Sequence, residues 1–284
     1  MHKSVLPEEI LGFFEGICVK RFVDGTVGAG GHAKFVLAAH SEIEKFYAVD
    51  RDKSALILAK EALSDFANVE YCHANFAKLQ LENIDGILLD VGVSSMQLDQ
   101  GERGFSFMRP GPLDMRMDQT QRLTAFEVVN CYGEKRLGEI FRDYGEERRW
   151  KRAAAAIVEA RRRDKIETTA DLVEVLKPVL GWQRKHFNPM TLIFQALRIE
   201  VNGELDALEQ GIRWAVGALN SGGRLAVISF HSLEDRIVKH TFLKLKVEEK
   251  SVNILTKKPV LPTDVEAKTN PRSRSAKLRV VEKL

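Results

Sequence analysis

A chain of 284 residues with 44% hydrophobic and 29% charged content can bury one large core or two ordinary ones, which excludes disorder as a whole. A formal net charge of only +3 excludes a strongly polycationic protein, so a polyanionic partner would have to be met by the local placement of charge. No apolar run reaches the roughly 18 to 20 residues that span a bilayer, and MHKSVLPEEILGFF lacks the apolar core and cleavage site of a signal peptide, so a cytoplasmic protein with no membrane partner is expected.

In chain order, short apolar runs alternate with amphipathic stretches, the pattern of repeated strand-helix units and a parallel sheet. RFVDGT (21–26), KFYAVD (45–50), VEYCHA (69–74) and DGILLD (85–90) read as strands. Helical spacing occupies 30–40 and 52–64, with Asp52 as a candidate N-cap and Ala55, Leu56, Ala59 and Leu63 on one face. After residue 91 the alternation stops. Turns in RGFSFMRPGPLDMRMD lead into Ala-, Leu-, Glu- and Arg-rich segments, and no strand pattern returns until GRLAVISF (223–230). The expected domains are therefore 1–107 with 206–284, an α/β unit, and 108–205, an inserted all-helical domain. SLEDRIVKHTFLKL is then amphipathic, with Ser232 as its candidate N-cap, and KLRVVEKL (277–284) is expected to close the sheet as an edge strand.

Cys18, Cys72 and Cys131 are too scattered for a disulfide framework and form no CxxC metal pair, so they are expected to be packing residues and no residue is assigned to a metal. Two runs are basic: Arg148, Arg149, Lys151, Arg152, Arg161, Arg162, Arg163 and Lys165 in a helical segment, and Lys268, Arg272, Arg274, Lys277 and Arg279 near the C-terminus. Each alone reads as a solvated face; two in one chain favour a nucleic-acid partner.

In an open parallel sheet, ligands sit at the carboxyl ends of the strands. The first strand runs into Asp24-Gly25-Thr26-Val27-Gly28-Ala29-Gly30-Gly31-His32, where glycines permit close approach of a ligand before a helix begins. The second ends in Asp50, placed for ribose hydroxyls; the third is followed by Phe76, placed for an adenine face; the fourth ends in Asp90. An adenosine-containing cofactor is implied. Gly28-Ala29-Gly30-Gly31-His32-Ala33 also fits a dinucleotide fingerprint, so a NAD-dependent dehydrogenase stays open at this point, although dense glycines and His32 better suit a compact amino-acid tail than a pyrophosphate.

At DVGVSSMQLDQGERGFSFMRPGPLDMRMD the chain resembles the RsmH (MraW) family, the bacterial small-subunit ribosomal RNA cytosine-N4 methyltransferases. HKSVLPEEIL, VDGTVGAGGH, AVDRDKSA, YGEERRWKR, FQALRIEVNGEL, GGRLAVISFHSLEDRIVK and NPRSRSAKLR follow in the expected order, so the resemblance covers nearly the whole chain. It departs at Asn188-Pro189-Met190-Thr191-Leu192, where the family commonly has His-Pro-Ala-Thr-Arg. The resemblance implies a Rossmann-like class I methyltransferase sheet interrupted by a helical domain. It also implies methyl transfer from S-adenosylmethionine to N4 of a decoding-region cytidine in 16S rRNA, with the small ribosomal subunit as partner and a homodimer as an open arrangement. Carried onto this sequence, Gly30, Gly31 and His32 would hold the amino-acid end of the cofactor, Asp50 its ribose and Phe76 its adenine, with Asp90 and Gln97 near its methionine moiety.

The N4 lone pair of cytosine is delocalised into the ring, so the amine must be aligned and its hydrogens accepted, and the base must be extruded to be reached. Asp90 is the candidate acceptor, with Ser229, His231 or Asp114 assisting; the plainer reading of Asp90 is a partner for the cofactor ammonium, and of His231 a helix-start residue bonding the backbone. Arg198 and Asn202, four apart on one helix face, join Ser229 and His231 as candidate substrate contacts, with a structural ion pair as the alternative for Arg198. Met108, Met115 and Met117 are expected to fill gaps and Phe105 and Phe107 to be buried, while His2, His40, His73, His186 and His240 have no partner pattern. A basic RNA-binding assembly factor without catalysis is the non-enzyme alternative.

Overall fold

The computed structural model describes residues 3–182 and 188–284, so His2 and His186 lie outside the described residues. The chain packs as two units, Met1–Gly92 with Leu205–Leu284, and Val93–Glu204.

The first unit begins with α1 (Pro7–Phe14), where Pro7 and the acidic Glu8 and Glu9 suit a helix start. Then come β1 (Arg21–Asp24), α2 (Gly31–Ala39), β2 (Lys45–Asp50), α3 (Lys53–Ala62), β3 (Val69–His73) and β4 (Ile84–Asp90). Asp52 caps α3 as expected, its side chain accepting the Ser54 amide at 3.0 Å.

The second unit holds α4 (Ser95–Asp99), α5 (Ala125–Cys131), α6 (Glu134–Asp143), α7 (Trp150–Ala160), α8 (Thr169–Leu180) and α9 (Met190–Asn202). Leu137, Phe141, Ile157, Leu176, Ile193 and Leu197 are fully buried in its core. The unit opens at Val93 rather than 108 because Phe105 is buried in this core and Val93, Leu98 and Phe107 pack on it. Phe107 meets Trp182 and Phe194 edge-on at 6.1 and 5.5 Å, and Met115 and Met117 are buried while Met108 is exposed. Two expected packing cysteines, Cys18 and Cys131, are instead exposed: a scattered thiol carries no sequence signal of its side.

The chain returns to the sheet through α10 (Glu204–Ala218), β5 (Leu219–Ser229), α11 (Ser232–Val247), β6 (Val252–Ile254), α12 (Asp264–Thr269) and β7 (Lys277–Lys283). The seven strands lie in the order β3-β2-β1-β4-β5-β7-β6. The first five run parallel, and β7 is antiparallel to both β5 and β6. β7 is therefore not the edge strand the sequence led one to expect. The edge is β6, a three-residue strand too short to show a period. Likewise the N-cap of α11 is His231, not Ser232, because the imidazole takes the capping amide ahead of the serine.

Under one face of the sheet Phe22 stacks on Phe46 at 5.4 Å and meets Phe14 edge-on at 5.0 Å. Gly86 on β4 makes room for this cluster, since a Cβ there would lie 2.6 Å from the Phe22 ring. Leu208, Ile212, Val216 and Phe242 belong to a second buried cluster. Among the described residues no helix is long and apolar enough to cross a membrane. Phe22 is fully buried, so Phe22→Ala is expected to lower unfolding free energy by about 3–5 kcal/mol in urea titration, and a loss under about 1 kcal/mol would contradict this core.

Candidate functional site

Neighbouring parallel strands end together, so β1, β2 and β4 deliver Asp24, Asp50 and Asp90 to one edge of the sheet. Backbone hydrogen bonds stitch the glycine loop to this edge. Asp50 accepts the Gly28 amide on Oδ2 at 2.9 Å and the Asp52 amide on Oδ1 at 2.8 Å. Gly28 has φ +54°, a conformation that L side chains rarely adopt, which turns its amide toward Asp50. On the other side Thr26 Oγ1 accepts the Asp90 amide at 2.6 Å, and Asp24 Oδ1 accepts the Thr26 amide at 3.1 Å.

His32 in the first turn of α2 faces this cluster. Its Nε2 is 2.7 Å from the Val5 carbonyl, which can only accept, so Nε2 carries the proton. Nδ1 then faces Asp90 Oδ2 at 3.5 Å, and burial lowers the His32 pKa. Chain segments distant in sequence hold Val5 in place. Glu266 Oε1 accepts the Leu6 amide at 2.9 Å, the Asn270 side chain donates to the Lys3 carbonyl at 3.2 Å, and Ser4 occupies the space that a side chain at Gly31 would need.

The acids are held largely out of water. Burial pushes Asp24 up to about 7, opposed by nearby His32 and assisted by Asp90 and Asp50. Burial likewise pushes Asp90 up to about 7, with the Glu234 charge adding to it. Asp50 rises to about 6 through burial, against the pull of the amides it accepts. Asp90 keeps 23% of its side chain accessible, yet its buried Oδ1 has no hydrogen-bond partner among the described residues. Desolvated carboxylates of like sign with an unsatisfied oxygen fit a compact ligand bearing positive charge and hydroxyl or amine donors.

The turn after β5 brings a further charge to bear on Asp90, that of Glu234. Glu234, buried at 2% exposure, accepts the Phe230 amide at 2.7 Å and the His231 amide at 3.3 Å on Oε2. Its own amide donates to His231 Nδ1 at 3.3 Å, and His231 Nε2 lies 3.1 Å from Glu234 Oε1. His231 is thus engaged by the turn it caps. Glu234 was not anticipated, although His-Ser-Leu-Glu is a capping box with histidine in place of serine or threonine. In the sequence Asp24 stands at the start of the glycine loop, and its place at a strand end, as for Asp50 and Asp90, is the signal for its role here.

Gly30, at φ +83°, packs against Ala62 and Leu63, and the Phe76 ring packs onto Gly211 of α10. Ser229 is buried, its hydroxyl 3.5 Å from the Lys277 carbonyl. Gln97, Arg198 and Asn202 belong to the Val93–Glu204 unit. Gln97 closes a capping box with Ser94, and Arg198 pairs with Glu204 at 2.9 Å. Asn202 accepts the Met117 amide at 2.8 Å and donates to the Met115 carbonyl at 2.7 Å, pinning a loop in which Met115 has φ 59°. Asp114 is paired with Arg116 at 2.7 Å. Much of the basic character is also committed: Arg149 donates to the Val179 and Leu180 carbonyls, Arg161 to those of Val129 and Tyr132, and Lys277 and Arg279 both pair with Asp235.

The chain matches the MraW methylase family over residues 1–284. Relatives named ribosomal RNA small subunit methyltransferase H, from Protochlamydia amoebophila and Trichodesmium erythraeum, are 48% and 45% identical, with 100% of this chain and 97% and 99% of theirs aligned. Among solved structures, an rRNA methylase from Streptococcus thermophilus is similar at a TM-score of 0.48 and 13% identity, covering 100% of this chain and 99% of that one. With one family matched from end to end, and its members matched nearly whole in return, the chain belongs to the MraW methylase family.

Proposed function

We propose that the protein transfers a methyl group from S-adenosylmethionine to the exocyclic N4 amine of a cytidine in the decoding region of 16S rRNA, acting in the cytoplasm on the small ribosomal subunit. The observation that carries this reading is the unpartnered Oδ1 of Asp90 among carboxylates that burial keeps short of countercharge.

S-adenosylmethionine supplies an electrophilic methyl group on a positively charged sulfur. Asp24 and Asp90 offer that charge a countercharge that water does not screen, and the Gly31 and His32 amides at the start of α2 suit a carboxylate, the Gly30 amide being spent on the Val27 carbonyl at 2.8 Å. Asp50 spends one lone pair of each oxygen on Gly28 and Asp52, which leaves others for ribose hydroxyls. Phe76, held between the Gly25 loop and α10, borders the adenine. Gln97, Arg198 and Asn202 bond within their own unit and hold it together.

Asp90 accepts an N4 hydrogen of the extruded base, which frees the nitrogen lone pair and takes up the proton that the amine must lose. A carboxyl group raised to about 7 is matched to that transfer at neutral pH. His32 Nδ1 lies 3.5 Å from the other oxygen, Oδ2, and Glu234, whose charge acts on Asp90, fixes with His231 the turn after β5.

Deleting the gene should remove N4-methylcytidine from small-subunit ribosomal RNA in nucleoside mass spectrometry; an unchanged profile would refute the assignment. Asp90→Ala should keep the fold and lower turnover by about 10²–10⁴-fold, and near-normal turnover would exclude Asp90 as acceptor. The pH dependence follows from the raised carboxyls. Their folded values exceed the ordinary aspartate value of 3.8, so their contribution to unliganded stability is present at low pH and is lost as pH rises through about 6 to 7. A cation offsets that loss. Calorimetry should therefore show S-adenosylmethionine gaining more affinity than the uncharged-sulfur S-adenosylhomocysteine between pH 5.5 and 8; equal gains would contradict the acidic cradle.

A further inference from the structure

In the Val93–Glu204 unit, α7 begins on an aromatic residue flanked by the cations of Arg142 and Lys151. Trp150 packs its six-membered ring against Gly138 of α6, where a Cβ would come within 2.8 Å. The Arg142 guanidinium lies 5.4 Å from the Trp150 ring centroid and the Lys151 ammonium 5.1 Å from it. Arg142 also pairs with Asp143 at 2.7 Å. Arg148, in the turn leading into α7, and Arg152, in its first turn, are exposed, and neither has an ion pair among the described residues.

This placement is locally unfavourable. The first turn of α7 contains no acidic residue, and Lys151 and Arg152 stand where the helix dipole repels positive charge. Arg149 escapes by turning inward to the Val179 and Leu180 carbonyls, and the buried Glu147 serves the Arg149 amide at 2.8 Å. Among the described residues Arg148, Lys151 and Arg152 have no such outlet. Arg142 and Lys151 beside a half-buried indole, with Arg148 and Arg152 exposed on the flanking turn and helix start, match a polyanion that also offers flat faces, and an arginine layered on an aromatic ring is a surface on which an unpaired base stacks.

We infer that Trp150 with Arg142, Arg148, Lys151 and Arg152 forms a contact surface for single-stranded RNA, its phosphates against the cations and one unpaired base on the Arg142–Trp150 layer. A duplex fits less well, because its bases are already stacked. The inference rests on the reading of ribosomal RNA as the substrate, and the two fail separately. Absence of methyl transfer to small subunits by the wild-type protein removes that reading, whereas this surface is judged by binding.

The test is fluorescence titration of the full chain with a single-stranded oligoribonucleotide of about twelve nucleotides, at several salt concentrations. Arg148→Glu/Arg152→Glu, whose side chains are exposed, should keep its circular dichroism and melting midpoint. It should bind about tenfold or more weakly, with the slope of log affinity against log salt shallower by about 1.4. RNA should also quench tryptophan emission in the wild type and less in Trp150→Phe, with Trp182 and Trp214 as internal references. An unchanged slope in the double variant would overturn the inference. So would weaker binding to assembled subunits with unchanged binding to the bare oligonucleotide, which would mark a protein contact instead.

Discussion

Keeping Asp24, Asp50 and Asp90 side by side and largely out of water is the constraint to which the end of the sheet is fitted. Like charges in a poorly solvated place do not stay together unless the backbone holds them, and here three parallel strands do so through their common register. The glycine loop gives each acid amides to accept or a hydroxyl on its own amide, and this explains Gly28 better than an open space for a ligand alone would. What the loop does not satisfy is Oδ1 of Asp90, so the tension of the arrangement is concentrated on one atom.

The α/β unit was legible in the sequence wherever an element ran long enough to show a period. β2 falls at the expected residues, and the other parallel strands differ only at their ends. β6 escaped because three residues have no period, and β7 was misplaced to the edge as a consequence. The acids at the strand ends were readable because topology alone sends them to one edge. Glu234 was not, since its importance depends on a histidine acting as a cap and on burial that no local pattern announces. The dehydrogenase alternative, which the glycine loop left open, closes on the family match across the whole chain.

In the helical unit, charge proved a poor guide to exposure. Arginines that counted as a basic run in the sequence divide into those that turn inward and those that stay in water. Arg149 and Arg161 satisfy carbonyls at the ends of α8 and α5, which a helix would otherwise leave without donors. Composition cannot make that division, because it depends on which helix ends lie within an arginine's reach. Asn202 likewise reads as a surface amide in a helix and in fact spans a buried loop from Met115 to Met117.

The tautomer of His32 depends on Val5, and the Val5 segment is tied down by Glu266 and Asn270, residues close to the other end of the sequence. During translation, the Val5 segment must therefore wait for Glu266, made 260 residues after Leu6, before this histidine acquires its settled orientation. A nascent chain can lay down its parallel strands early and still lack a settled His32 beside Asp90, so the arrival of residues 266–270 sets when this end of the sheet is finished.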